Sequence, residues 1–276
     1  MSHAIHAALL GILQGLTEFL PVSSTAHLLI GEHLLGFGDP GGAFTVMIQL
    51  GSILAIVWLY RDKILEVLTG LGSKPDAQYF ALTVLAAFVP TAVAGLLLSD
   101  FVKRVLYYSF PTVAAAFVLG GIVMLVVERL RPRPAVHAAD RVPMGRAIAV
   151  GAFQALAFIP GVSRSGATIV GGMIMGLDRP AAAEFSFFLA IPTMAAAFAK
   201  SLLEARNHLG PERAGEIAIG FVMAFIASVV IVKPFVNFVR RSGFAPFAWY
   251  RIAIGVLVLA AVLAGRLLPA DPGVTP

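Results

Sequence analysis

The apolar residues of this chain gather into long runs, several approaching the ~20 residues that a helix needs to cross a bilayer. The continuous runs are residues 44–60, 79–99 and 111–127, then 185–203, 217–239 and 246–267. Two others are interrupted. The apolar stretch 3–20, which carries Gln14, Thr17 and Glu18, stops at Pro21-Val22-Ser23-Ser24-Thr25 and resumes over 26–35. The stretch 147–159 stops at Pro160-Gly161-Val162-Ser163-Arg164-Ser165 and resumes over 166–177. Each arm is short for a span. Non-helical backbone at membrane depth is tolerated only when buried in protein or lining a wet cavity. Each interrupted run therefore predicts a re-entrant helix–loop–helix.

The two halves share this layout, and residues recur with it. Gly11, Gln14, Leu16, Val22 and Ser23 return as Gly151, Gln154, Leu156, Val162 and Ser163, each 140 positions later (151 − 11). Pro111 and Gly120 return as Pro246 and Gly255, 135 later (246 − 111). One re-entrant pair plus three spans is an odd number of crossings, so the second half enters from the opposite side. The expected fold is an all-α polytopic membrane protein. It is an inverted-topology repeat forming one domain over 1–276, with halves of about 1–130 and 144–268 joined by a basic linker, 131–143. The two re-entrant breaks then meet near the midplane.

Composition agrees: 59% of residues are hydrophobic and 13% charged, against about 25% charged in soluble domains. No cleavable signal is expected at the N-terminus, because Met1-Ser2-His3 lacks a basic region. Cysteine is absent, which excludes disulfides, thiolate metal sites and a cysteine nucleophile. The formal charge of +5 does not mark a nucleic-acid binder, because the basic residues sit at helix ends and loops. One side carries Arg61, Lys63, Lys74 and the arginines at 129, 131, 133, 141, 146, 179, 240 and 241. The other carries Lys103, Arg104, Lys200, Arg206, Arg213 and Arg266. The excess of positive charge places the first set in the cytoplasm and both termini outside.

The breaks hold the candidate chemistry. An arginine among glycines and hydroxyls at 160–168, followed by a new apolar helix, has the parts of an oxyanion site: Arg164, Ser163, Ser165, Thr168 and the N–H groups opening the helix. In the first break Gln14 and Glu18, four apart, share a helix face. A lone carboxylate so deep in an apolar run needs a cation, a proton or a metal. Ser23, Ser24 and Thr25 supply hydroxyls, and His27 lies just beyond, where a base or nucleophile could stand. One carboxylate and an amide, without His-x-x-x-His spacing, suit Mg²⁺ or Ca²⁺ rather than a transition metal.

The stretches Gln14–His27 and Pro160–Thr168 resemble the two signature motifs of the bacitracin-resistance-type undecaprenyl-pyrophosphate phosphatases. The first motif is (Glu/Gln)-x-x-x-Glu followed by Pro-Val-Ser-Ser-Thr and a histidine; the second is Pro-Gly-x-Ser-Arg-Ser-x-x-Thr. The resemblance extends to Gln49-Leu50-Gly51-Ser52 and Glu184-Phe185-Ser186-Phe187. It implies a multi-pass enzyme of the bacterial plasma (inner) membrane that hydrolyses undecaprenyl diphosphate to the monophosphate carrier of envelope polysaccharide synthesis. It also implies a divalent metal and an active site opening to the periplasmic side. Carried over by position, Gln14 and Glu18 fall in the metal- and acid-associated motif. Ser24 and His27 fall at nucleophile and partner, and Ser163, Arg164, Ser165 and Thr168 at the phosphate, with Ser23 and Thr25 beside it. Position 14 is Gln where many members have Glu, which leaves one carboxylate fewer for metal. The expected mechanism has Ser24, activated by His27, attacking the terminal phosphorus; an equally open variant has His27 as nucleophile and Glu18 as acid–base. The rival class is a polyprenyl-phosphate transporter or flippase using the same midplane site. A homodimer stays open.

Overall fold

The computed structural model describes residues 3–39, 42–105, 109–205 and 213–265. Within them the regular structure is helical, apart from one isolated bridge between Val136 and Leu177. The first interrupted run forms α1 (His3–Thr17) and α2 (Ser24–Leu35). It is followed by α3 (Ala43–Leu59), α4 (Arg61–Gly70), α5 (Pro75–Val105) and α6 (Phe110–Leu130). The second forms α7 (Met144–Ala155), a single 3-10 turn at Leu156–Phe158, and α8 (Arg164–Ile174). It is followed by α9 (Arg179–Ala205), α10 (Ala214–Ser242) and α11 (Ala245–Leu263).

Five helices (α5, α6, α9, α10 and α11) are long and apolar enough to cross a membrane, six if α3 and α4 count as one. The run at 44–60 ends where Arg61, Asp62 and Lys63 begin, as the polarity requires. The chain does not loop there; it bends by 74° and continues as α4. The next helix starts earlier than its apolar run, because Pro75 at its first position and Asp76 in its first turn suit a helix N-terminus. Large apolar side chains line the outside: Leu96 is 83% exposed and Leu263 79%. A water-soluble surface of that kind would aggregate; against lipid it is the expected face.

The helices that cross most closely do so through glycine. α1 packs on α10, and α7 on α5. A Cβ on Gly11 would collide with the carbonyl of Gly220, and one on Gly151 with the carbonyl of Ala87. α6 packs on α11 and α3 on α9, while α3 also meets α10 and α9 also meets α5. The linker is tied down at one end of this bundle. The N–H groups of Ala135 and Val136 donate to Gly176 O, and Lys63 Nζ donates to Asp140 at 2.7 Å.

Candidate active site

Both breaks turn through a serine of positive φ. Among the described residues, Ser23 (φ 68°) and Ser163 (φ 75°) are the non-glycine residues with positive φ. That conformation costs an L-residue ~1–2 kcal/mol and persists where the surroundings enforce it. Each serine is the residue before a helix. Ser163 Oγ accepts from Gly166 N at 3.1 Å and so caps α8. No side chain caps α2, which leaves its opening N–H groups for another acceptor.

A third element holds the breaks together. Arg251 of α11 is 1% exposed. Its Nη1 donates to Pro21 O (3.1 Å) and Val162 O (2.9 Å), and its Nη2 to Gly161 O and Ala116 O (both 2.9 Å). One guanidinium thus satisfies carbonyls of both loops, which irregular backbone at this depth could not leave unpaired. Ser165 Oγ adds a bond from the second break to the first, donating to Leu20 O at 2.7 Å.

Glu18 and Arg164, 146 positions apart (164 − 18), meet here. Arg164 Nη2 donates to Glu18 Oε1 at 2.9 Å. Glu18 Oε2 accepts from Ser24 Oγ at 2.6 Å and from Gln14 Nε2 at 2.7 Å. Arg164 also reaches Ser186 O (3.2 Å) and Met194 Sδ (3.2 Å), and its buried Nε has no partner. This cluster opens on a cavity of about 320 Å³ lined by Glu18, Ser23, Ser24, Thr25, Ser163 and Arg164, with Gln49, Thr91, Gln154, Thr193 and Met194 among its other walls.

The remaining candidates stand apart from that cavity. Thr168, fully buried, places its hydroxyl against Ser186 Oγ at 2.6 Å and on the carbonyls of Arg164 and Ser165. It braces α8 rather than lining the cavity, and Ser165 does likewise. His27 is not bonded to Ser24. Its Nδ1 lies 2.8 Å from Ser23 O, so Nδ1 carries the proton, and its Nε2 lies 2.7 Å from Tyr250 Oη. Its ring stacks on that of Tyr250 at 5.7 Å. The side chain satisfies the carbonyl of the strained Ser23; the group in contact with the Ser24 hydroxyl is Glu18. The opening of α8 differs from expectation too, because its Gly166 N–H is already engaged by Ser163.

Among the described residues no group of three or more His, Asp or Glu is assembled for a metal. Glu18 and Gln14 do form an all-oxygen pair, since Gln14 Oε1 is buried without a partner while its Nε2 faces Glu18. Such a pair fits a hard cation that completes its shell with phosphate and water, and not zinc.

Comparison with known proteins decides the lineage. Residues 7–257 match the family Bacitracin resistance protein BacA. The undecaprenyl-diphosphatase of Cereibacter sphaeroides is 48% identical over 264 residues, covering 96% of this chain and 98% of that one. Undecaprenyl-diphosphatase 2 of Paramagnetospirillum magneticum is 50% identical over 261 residues (94% and 99%), and the undecaprenyl-diphosphatase of Paracoccus denitrificans 48% over 266 (96% and 100%). The chain belongs to the BacA family.

In this BacA-family chain the residue that sequence reasoning passed over is Arg251. Its signal was available: an arginine well inside an apolar run is by default functional. The partners were not, because four carbonyls from three distant segments carry no mark in the sequence. Gln154 stands out in the sequence only as the repeat of Gln14, and Thr91 and Thr193 carry no mark there; all three line the cavity.

Proposed function

We infer that the protein is an undecaprenyl-diphosphatase, hydrolysing undecaprenyl diphosphate to undecaprenyl phosphate and inorganic phosphate. The observation that carries this reading is the three-way contact of Glu18 with the Ser24 hydroxyl and the Arg164 guanidinium at one cavity wall. A carboxylate 2.6 Å from a serine hydroxyl is placed to take its proton. Arg164, released from part of its pairing with Glu18, offers planar donors to phosphate oxygens, and the uncapped start of α2 offers N–H groups. Ser24 is then the nucleophile and Glu18 its base, with His27 shaping the loop. Both nitrogens of His27 are engaged elsewhere, which argues against the variant with a histidine nucleophile. Glu18 and Gln14 would hold a divalent cation, Mg²⁺ or Ca²⁺, which when bound neutralises charge on the phosphate oxygens.

The inverted repeat is supported by the packing. Exchanging the halves turns the α1–α10 contact into α7–α5 and α3–α10 into α9–α5, and leaves α6–α11 and α3–α9 as they are. The periplasmic opening is supported by where the cavity lies. It is walled by Thr91 and Val102 of α5 and by Thr193, Met194 and Ala197 of α9. The other ends of those helices carry the basic linker's contacts, Asp76 with Arg141 and Asp178 with His137. With the linker in the cytoplasm, the cavity faces away from it, in a bacterial inner membrane. Of the opposite set of cations, Arg206, Arg266 and the side chains of Lys103 and Arg104 lie outside the described residues.

The exchange symmetry also suits a carrier, and one experiment separates the two. Purified protein should release phosphate from undecaprenyl diphosphate, less so with a chelator, and Ser24→Ala should abolish that release. Lipid transfer across vesicles without phosphate release, unchanged by Ser24→Ala, would make the protein a transporter.

A further inference from the structure

The cavity wall that holds Glu18 and Ser24 also includes Gln154, a polar group that the mechanism above does not use. Gln154 is 1% exposed. Its Nε2 donates to Thr91 Oγ1 (2.8 Å) and Thr193 Oγ1 (3.0 Å). Both hydroxyls already direct their own protons elsewhere, Thr91 to Gly151 O (2.9 Å) and Thr193 to Leu189 O (2.7 Å). They can therefore only accept, so the amide cannot flip. Gln154 Oε1 is locked as an acceptor, buried and without a partner, on a residue of the cavity wall.

An amide oxygen held this way repels the ionised oxygens of a diphosphate, which are themselves acceptors. What it can take is a donor. The Ser24 hydroxyl is committed to Glu18. The remaining donor that a hydrolase must admit is water. A buried water needs two or more polar partners, and Gln49 and Thr25 share the same cavity. A glutamine carbonyl that receives one water proton leaves the oxygen lone pairs free to face phosphorus, as in the water-orienting glutamine of GTPases.

We propose that Gln154 holds the water that hydrolyses a phosphorylated Ser24, and that Thr91 and Thr193 exist to lock its amide. The proposal rests on the phosphatase reading and takes it one step further. In the first half-reaction the Ser24 Oγ–P bond forms, the bridging P–O bond breaks, the lipid monophosphate leaves as the anion, and the serine proton passes to Glu18. In the second, the water oxygen bonds to phosphorus as the Oγ–P bond breaks. Glu18 returns its proton to Ser24 Oγ, one water proton stays on the released phosphate, and the other passes to solvent.

The test compares wild type with Gln154→Met, which keeps the volume and loses the acceptor. Both are given polyprenyl diphosphate labelled in the terminal phosphate, in rapid-quench and steady-state assays. Slowing only the second half-reaction lowers kcat and KM together, so kcat should fall at least ~100-fold, the scale of one positioned polar group, with kcat/KM unchanged. The label should accumulate on Ser24. A fall in kcat/KM together with kcat, a shift in the divalent-metal concentration needed, or unchanged kcat each overturns the proposal. The thermal midpoint in detergent reports folding of the variant, with Gln154→Leu as a second folded variant, and a methylene-bridged diphosphonate reports binding. If both variants lose the analogue, Gln154 is a phosphate ligand and the proposal is wrong. Wild type that releases no phosphate fails the phosphatase reading itself. Wild type that turns over without label ever residing on Ser24 leaves that reading standing and removes this one.

Discussion

The two breaks turn alike and present different side chains to one carboxylate. Ser23 and Ser163 both take a positive φ, and the next residue opens a helix in both cases. That residue is Ser24 in the first break and Arg164 in the second, 140 positions later (164 − 24). One helix start delivers a hydroxyl, the other a guanidinium, and both arrive at Glu18. The position matching Glu18 is Phe158, and the position matching Gln14 is Gln154, whose amide binds two threonines instead of a carboxylate. The N-termini differ as well: α8 is capped by its serine and α2 is not. Similar turns thus set where the two side chains point, while the residue that follows each turn decides whether a hydroxyl or a guanidinium reaches Glu18.

The contrast between the breaks is most exposed at its two helix starts. Ser24→Ala should reduce kcat by at least ~10⁴-fold, as loss of a nucleophile does, with binding of a non-hydrolysable diphosphate retained. A residual rate within tenfold of wild type would remove Ser24 from the reaction. Glu18→Gln should cost about 10³-fold, because it removes the base at Ser24 and the charge facing Arg164. It should also raise the Mg²⁺ concentration for half-maximal rate, measurable by metal titration. Arg164→Lys keeps the charge without the fork and should lower kcat/KM about 100-fold; a rate near wild type would show that the second helix start contributes charge alone.

Smaller effects test the scaffold that the halves share. Arg251→Met removes the donors to both loops. A loss of about 3 kcal/mol, the scale of one or two charge-assisted hydrogen bonds, should lower the thermal midpoint in detergent by roughly 6–12 °C, and the loss of activity should follow unfolding. Ser163→Ala should have the least effect of the five, about 1 kcal/mol from the lost cap, with kcat within a few-fold. If it matched Ser24→Ala in activity, the two breaks would be chemically equivalent and the contrast between them false.

The order of residues dictated where helix could not continue and which residues had to be explained. Uninterrupted apolar runs located every long helix among the described residues, with ends up to six residues off (99 against 105, 185 against 179), since a lipid-exposed backbone has no alternative to helix. Pro21 and Pro160 marked the breaks, and Glu18 and Arg164 stood out because charge is costly at that depth. The tertiary structure alone decided who bonds to whom. Spacing put His27 near Ser24, but the turn at Ser23 sends the hydroxyl to Glu18 and leaves the imidazole to a backbone carbonyl and to Tyr250, 223 positions away (250 − 27). The hydroxyls of Ser165 and Thr168, expected at the phosphate, bond to Leu20 O and Ser186 Oγ, partners that the sequence does not mark. The continuation of the third run as α4 at 74° was equally invisible, because a polar boundary ends a span without saying whether the chain bends or loops. Periodicity and polarity report each residue's solvent. A hydrogen bond depends on the direction of a side chain in three dimensions, which is set by which helices happen to cross.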